Sequence, residues 1–231
     1  VSGLDLFSRT FTLVDPKVSV DRVVNDGEKV KIGDRLAFVS GNLSSILRAE
    51  RVALNFLQHL SGVATLTRRF VDLVAETGIR ILDTRKTTPL LRDLEKRAVI
   101  HGGGKNHRRD LSAMALIKEN HIEMAGSITS AVRAIREAHP DLSLEVEVKN
   151  LEELQEALDL EPDVIMLDNF SPDLTRKAVD MKPENIVYEI SGNISLENAL
   201  SRISQGIDFV SIGALTHSAP VLDVSLLIQR K

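Results

Sequence analysis

Between Val18 and Val39 the chain reads "VSVDRVVNDGEKVKIGDRLAFV", with apolar and polar positions alternating around Asp26-Gly27 and Gly33-Asp34. A period of two punctuated by such turn signals predicts a small β-rich segment of short strands. From Leu43 to Ala75 the period lengthens: Leu47, Leu54, Leu57 and Leu60 recur at helical spacing behind Ser44 or Ser45 as N-cap. Gly62 interrupts this stretch, which predicts two helices there.

After Gly78 short apolar runs recur, at Ile79–Leu82, Met114–Ile117, Leu144–Val148, Val164–Leu167, Ile186–Ile190 and Phe209–Ile212. Helical segments separate them, several with a readable start. Ser127 precedes "ITSAVRAIREA", Asn150 precedes "LEELQEAL", Ser171-Pro172 precedes "DLTRKAV", and Ser195 precedes "LENALSRISQ", with Gly206 behind it. Asn150 with Glu153, and Ser195 with Asn198, stand at capping-box spacing. Runs apolar on both faces, alternating with helices, mean a parallel sheet covered by helices. A closed or nearly closed β/α barrel is expected, and an open doubly wound sheet is its rival. No G-x-G-x-x-G or G-x-x-x-x-G-K-[ST] follows any run, which weakens that rival.

Loops at the carboxyl ends of barrel strands converge on one mouth, where such folds keep their active sites. Just past the runs stand Asp83, Arg85 and Lys86; Lys118, Glu119 and Asn120; Glu147 and Lys149; Asp168 and Asn169; Ser191, Gly192 and Asn193; Gly213 and Ala214. One such ending is a loop beginning, but the series predicts a polar mouth. Glu147 and Asp168 fall on successive strands and so side by side, where two carboxylates can accept bonds from ribose hydroxyls or hold Mg²⁺. Salt bridges to neighbouring bases are the plainer use of the same pair. Glu145, two residues earlier, faces the same way but deeper, and reads as a buried partner. The stretch "HGGGKNHRRD" at 101–110 alone is a flexible turn; beside Arg85, Lys86 and Lys118 it reads as part of an anion site. "SGN" at 191–193 and "GALTHS" at 213–218 follow the last two runs, a position that favours phosphate.

A net charge of -4 over 231 residues excludes bulk attraction to nucleic acid, so any anion must be met by a local cluster of bases. Cysteine is absent, which excludes disulfides, thiolate metal sites and Cys nucleophiles and fits a reducing cytoplasm. No apolar run approaches the roughly 20 residues of a membrane span, and no signal-peptide pattern opens the chain. The expectation is therefore a cytoplasmic protein with neither nucleic acid nor membrane among its partners. Val1 in place of Met suggests that the natural N-terminus is missing.

Eight motifs carry a more specific message: "ERVALNFLQHLSG", "DTRKTTP", "HGGGKNHR", "LIKENH", "EVEV", "MLDNFSP", "ISGNIS" and "SIGALTHS". In order and spacing, over essentially the whole chain, they resemble those of the quinolinate phosphoribosyltransferase (nicotinate-nucleotide pyrophosphorylase) family of type II phosphoribosyltransferases. The resemblance implies an α/β chain of two domains. Residues 1–61 would form a small N-terminal α/β sandwich domain lacking its first segment. Residues 62–231 would form an incomplete TIM-like β/α barrel, its C-terminal tail returning to the small domain. The resemblance also implies a homodimer, or a higher oligomer, with active sites shared across the interface. The implied reaction takes quinolinate and phosphoribosyl pyrophosphate, with Mg²⁺ as cofactor, to nicotinate mononucleotide, pyrophosphate and carbon dioxide in NAD synthesis.

Carried over position by position, Arg85, His107 and Arg108 resemble the clamp on the two quinolinate carboxylates, and Arg51 the arginine that enters the neighbouring subunit's site. Lys86 and Lys118 resemble the bases near the substrate and pyrophosphate. Glu147 and Asp168 resemble the carboxylates that meet the ribose hydroxyls and Mg²⁺, directly or through water. Lys86, Lys118, Glu147 and Asp168 thus form the implied catalytic set, while Ser191, Gly192, Gly213 and His217 match the loops that hold the 5-phosphate. The chain departs from the family at its N-terminus, where members carry a few dozen further residues. It also has Leu90 where a Gly is common and Ala113 where an Asp is common.

The chemistry of the residues agrees. A planar dicarboxylate suits guanidinium forks, which Lys cannot replace geometrically. Departure of pyrophosphate leaves an oxocarbenium-like ribose, so orientation and anion stabilisation are the protein's tasks and no covalent nucleophile is required. A base such as Lys118 would assist after loss of carbon dioxide. One rival acceptor is nicotinate or another small ring acid, but a monocarboxylate needs one clamp and the sequence offers two. A Schiff-base aldolase with Lys118 as nucleophile leaves the arginines unexplained. A barrel that only binds a phosphorylated ligand is the non-enzymatic reading.

Overall fold

The computed structural model describes residues 1–203 and 205–229. In chain order the elements are α1 (Leu4–Val14), β1 (Ser19–Arg22), β2 (Ala37–Ser40), α2 (Leu43–Leu73), β3 (Arg80–Leu82) and α3 (Arg92–His101). There follow β4 (Ala115–Ile117), α4 (Glu119–Ala125), α5 (Ile128–Ala138), β5 (Leu144–Val148), α6 (Leu151–Leu158) and β6 (Val164–Asp168). The last are α7 (Pro172–Asp180), β7 (Val187–Ser191), α8 (Ala199–Arg202), β8 (Phe209–Ser211) and α9 (Ala214–His217). The chain forms two compact units, the first made of residues 1–69, 86–104 and 215–231 and the second of 70–85 and 105–214.

In the first unit, α1 buries Leu4, Phe7 and Phe11 along one stripe, with the two rings edge to face at 5.0 Å. The β-rich segment consists of one antiparallel pair, β1 with β2, in which Val20 faces Val39. Ala49, Ala53, Leu54 and Leu57 of α2 close a core over them, joined by Val224 and Leu226 from the C-terminal chain. The break expected at Gly62 does not occur: α2 runs unbroken for 31 residues. A Cβ at Gly62 would stand 2.1 Å from the Pro220 carbonyl oxygen, so this glycine admits the returning C-terminal chain against the helix. Leu222 N–H then reaches the Gln58 carbonyl at 3.0 Å, and the Gln58 side chain donates to the Val224 carbonyl at 2.8 Å.

The glycine triplet ends α3. The N–H groups of Gly102, Gly103 and Gly104 go back to the carbonyls of Ala98, Ile100 and Val99 at 2.9 to 3.0 Å, so the expectation that they face an anion is corrected. The turn before α3 uses two threonines of "DTRKTTP". Thr87 Oγ1 accepts from Arg92 Nε at 3.1 Å, and Thr88 N–H donates to buried Glu95 at 3.0 Å. Leu90 stands fully exposed in this turn at φ 67°, a left-handed conformation that costs a β-carbon-bearing residue about 1–2 kcal/mol.

The second unit holds a six-stranded parallel sheet in the order β3-β8-β7-β6-β5-β4. Chain neighbours stay neighbours in space and the first strand lies beside the last, which is the winding of a barrel; a doubly wound sheet reverses at a switch point. On its other side β3 bridges to Lys105 in parallel, with Lys105 N–H bonded to the Ile81 carbonyl at 2.8 Å and Asp83 N–H to the Lys105 carbonyl at 3.1 Å. Among the described residues no ladder joins that segment to β4, so the barrel is incomplete. Glu145 pairs with Val164, Glu147 with Met166, Met166 with Glu189, and Asp168 with Ser191. Residues in register on parallel strands share a face, so Glu145, Glu147, Asp168, Glu189 and Ser191 all point to one side. Val146, Ile165, Leu167, Tyr188, Ile190 and Val210 fill the other side, fully buried.

Ser127, Asn150 and Ser171 cap α5, α6 and α7 as the sequence predicts. The helix expected after Ser195 shrinks to α8. One bond of the expected capping box is present, with Ser195 N–H donating to Asn198 Oδ1 at 2.9 Å and the Ser195 carbonyl accepting the Ala199 N–H at 2.9 Å, but only a short helix follows. Ser204 of that expected helix, and Arg230 and Lys231 of the expected second domain, lie outside the described residues. Because Gly62 sits against backbone, Gly62→Ala should lower stability by about 1–3 kcal/mol through forced displacement of the Pro220 chain. Urea unfolding checks this; an unchanged midpoint would remove the packing role given to Gly62.

Candidate active site

Asp83 is fully buried at the end of β3, and its Oδ1 accepts the His107 N–H at 2.9 Å. That anchor turns His107 into the sheet's charged face, where its Nε2 lies 3.1 Å from Glu145 and 3.5 Å from Glu189. Both acids are buried. Burial opposes a charge on His107, but the hydrogen bonds and charges of Glu145 and Glu189 outweigh it and raise its pKa to about 10. Burial, with the charge of Glu189 added, pushes Glu145 up, while the bond from His107 pulls it down. The Arg108 N–H lies 2.8 Å from Nδ1 and needs the lone pair there. A lone pair at Nδ1 leaves Nε2 as the place of the ring hydrogen whenever the imidazole is neutral, and that hydrogen points at the two acids. The ligand atoms of His107, Glu145 and Glu189 lie within 4.8 Å of one another, near enough for a metal.

Arg108 follows at once, half-buried, with Nη1 donating to the Met114 carbonyl at 2.9 Å. Its pKa is lowered by burial and then by the charge of Arg85, with Glu145 acting in the opposite sense. The two guanidinium groups are thus near enough to repel, and an anion between them would relieve that repulsion.

Lys118, at the end of β4, donates from Nζ to Glu147 on β5 at 2.8 Å. Asp168, one strand on, accepts from Asn169 Nδ2 at 2.9 Å. Asn169 stands at φ 55° and its Oδ1 receives Asn193 Nδ2 at 3.1 Å. Gly192, at φ 92°, leaves room for this: a Cβ there would meet Asn169 Oδ1 at 2.2 Å. Arg202 of α8 donates to the Gly192 carbonyl at 3.3 Å. Ser191, Gly192 and Gly213 therefore end adjacent strands at one rim of the sheet.

The structure brings Arg85 and Arg108 together, joins Lys118 to Glu147, and sets Asp168 beside Ser191. Arg51, Lys86 and His217 belong to the first unit. Arg51 is exposed on α2, the Lys86 carbonyl accepts from Thr216 Oγ1 at 2.7 Å, and His217 Nδ1 lies 2.6 Å from Ser218 Oγ. Glu189 and Arg202 escaped the sequence reading. An acid inside the apolar run "IVYEI" was the available signal for Glu189, whereas nothing distinguished Arg202 from any helical arginine. A groove of about 940 Å³ beside β4, lined by Leu111, Ile117, Met124 and Ile135, is apolar and holds none of the paired acids.

Comparison with known proteins gives the family. Residues 1–61 match the model of the quinolinate phosphoribosyl transferase N-terminal domain, and residues 63–227 that of its C-terminal domain. A probable carboxylating nicotinate-nucleotide pyrophosphorylase of Synechocystis is 44% identical over 234 residues, covering 100% of this chain and 79% of its own length. The carboxylating nicotinate-nucleotide pyrophosphorylase of Mycobacterium leprae is 46% identical, over 88% of this chain and 72% of its own. Among solved structures, the nicotinate-nucleotide pyrophosphorylase of Francisella tularensis superposes with a TM-score of 0.94 at 40% identity, covering 98% of this chain and 81% of that one. The chain belongs to the quinolinate phosphoribosyl transferase family.

Proposed function

We propose that the protein transfers the phosphoribosyl group of phosphoribosyl pyrophosphate to quinolinate, with loss of carbon dioxide, giving nicotinate mononucleotide and pyrophosphate for NAD synthesis. The neighbouring guanidinium groups of Arg85 and Arg108, each acting against the other's charge, carry this reading most directly. Two neighbouring forks suit a rigid ring bearing two adjacent carboxylates, and a monocarboxylate such as nicotinate would leave one unanswered. His107 completes the clamp by holding the Arg108 backbone.

The reaction asks the chain to orient a ring nitrogen towards the ribose and to steady a leaving pyrophosphate. Lys86 and Lys118 supply positive charge for the leaving group, and Glu147 holds Lys118 in place. The Lys118–Glu147 ion pair also weakens the aldolase reading, since an ammonium has no lone pair with which to form a Schiff base. Ser191, Gly192, Gly213 and His217 would meet the 5-phosphate. Carboxylate oxygens at the ends of β5 and β6 are a hard donor set that suits Mg²⁺, so Glu147 and Asp168 are the residues that would hold it, in part through water. When bound, the ion would neutralise charge on the pyrophosphate.

The same reading takes the active form to be a homodimer with shared sites. Leu43 and Leu47 stand about half exposed on α2 at the spacing that continues to Arg51, an unsheltered apolar stripe beside an exposed arginine. A second copy covering that stripe would carry Arg51 to its partner's site. Neither nucleic acid nor a membrane enters the proposal, and a cytoplasmic setting belongs to it.

Carbon dioxide release from labelled quinolinate should require phosphoribosyl pyrophosphate and Mg²⁺ together; release of none by the assembled protein would refute the activity. Arg85→Ala should raise the quinolinate KM by about a hundredfold, in line with loss of a charge-assisted bidentate pair, while the phosphoribosyl pyrophosphate KM changes little. Equal losses would refute the clamp. Mixing Arg51→Ala with Arg85→Ala subunits should restore about a quarter of wild-type activity, because half the dimers are hybrid and one site in each is intact. No recovery after exchange would mean that each site is built within one subunit.

A further inference from the structure

His107 is held from three directions, and each hold comes from a different part of the second unit. Asp83 at the end of β3 takes its backbone N–H at 2.9 Å. Glu145 from β5 and Glu189 from β7 converge on its Nε2, although β6 lies between their strands in the sheet. Its Nδ1 accepts the N–H of Arg108 at 2.8 Å, and the far end of Arg108 is tied to the Met114 carbonyl at 2.9 Å. A single ring therefore links two buried acids to the backbone of an arginine at the mouth.

Burying two carboxylates on the inner face is costly, and apolar residues of like volume would serve packing as well or better. Glu189 Oε1 is buried with no hydrogen-bond partner among the described residues, so the pair does not simply complete its own bonding. What the acids do achieve is orientation. With Nε2–H directed to them the imidazole plane is fixed, Nδ1 is presented to Arg108, and the turn at 107–108 has one conformation. We propose that Glu145 and Glu189 are positioning residues of the acceptor clamp, acting through His107 to fix the turn that carries Arg108 and so the place where one acceptor carboxylate is held. This rests on the reading of Arg85 and Arg108 as that clamp.

Glu145→Gln and Glu189→Gln in the full chain keep side-chain shape and remove the charge. Both should raise the quinolinate KM roughly tenfold, as expected for a displaced binding group, with the phosphoribosyl pyrophosphate KM within about twofold of wild type. Calorimetric affinity for benzene-1,2-dicarboxylate, which has the two carboxylates without the ring nitrogen, should fall by the same factor. Glu189→Asp keeps the charge and withdraws it by one methylene, so it should lie between wild type and Glu189→Gln. If the Gln variants do not fold, Glu189→Asp decides alone: wild-type values for both substrates would overturn the proposal. Folded Gln variants whose two KM values rise equally, or whose quinolinate KM and dicarboxylate affinity are unchanged, would also overturn it. A wild-type protein that binds no dicarboxylate and releases no carbon dioxide would instead refute the clamp itself.

Discussion

Two carboxylates turned into the charged face of a parallel sheet must find a partner for their charge, and in the second unit that partner is His107. Much of the site is built around this need. The segment carrying His107 is held along β3 by the Lys105 bonds to Ile81 and Asp83, so it travels beside the sheet like a short further strand. Asp83 then fixes the backbone of His107 while Glu145 and Glu189 take the ring. Those bonds fix the start of Arg108, whose guanidinium reaches the Met114 carbonyl and lies near enough to Arg85 to feel its charge. An exposed loop with the same residues would have no such certainty, because the entropy of ordering several long side chains would oppose it.

The sheet divides its labour by face. One side is a continuous apolar layer under the helices, including Val146, Ile165, Leu167, Ile190 and Val210. The other side carries acids in layers, with Glu145 deepest, Glu147 and Glu189 above it, and Asp168 with Ser191 at the rim. Charge becomes easier to solvate towards the rim, which is also where it is useful. Deep acids are therefore suited to holding the protein's own cation, and shallow ones to meeting ligands. Glu147 is intermediate in both senses: it holds Lys118 yet stands at a strand end.

The strands were legible almost residue for residue, because short runs apolar on both faces have few other readings: the Leu144–Val148 run and β5 have the same bounds. Caps that rest on one local bond, such as Asn150 with the Glu153 N–H at 2.8 Å, were legible for the same reason. The errors came where a distant part of the chain decides. Gly62 looks like a helix breaker until Pro220 arrives beside it, more than a hundred residues later in the sequence. The glycine triplet looks like an anion cradle until its N–H groups are seen to close α3. Ser195 and Asn198 do make one bond of the capping box, yet the helix behind them is only four residues long. Arg85, Lys118, Glu147 and Asp168 drew notice because they follow apolar runs, and Arg108 because it stands just after the glycine triplet. Glu189 was missed because it lies inside such a run, and its purpose becomes apparent only through His107.

The proposed clamp is made of like charges that repel each other. Burial and the charge of Arg85 both lower the pKa of Arg108, which is to say that both disfavour the charged form in the absence of a ligand. A dianion between the two guanidinium groups reverses the sign of that interaction, so the free energy of folding and that of acceptor binding share one term. The deep acids moderate the tension, since Glu145 acts on Arg108 in the favourable sense. They cannot abolish it without filling the site themselves. The depth of Glu145 and Glu189 is therefore a compromise between two demands: close enough to hold the cationic turn together, and far enough in that the mouth stays open to an anion from outside.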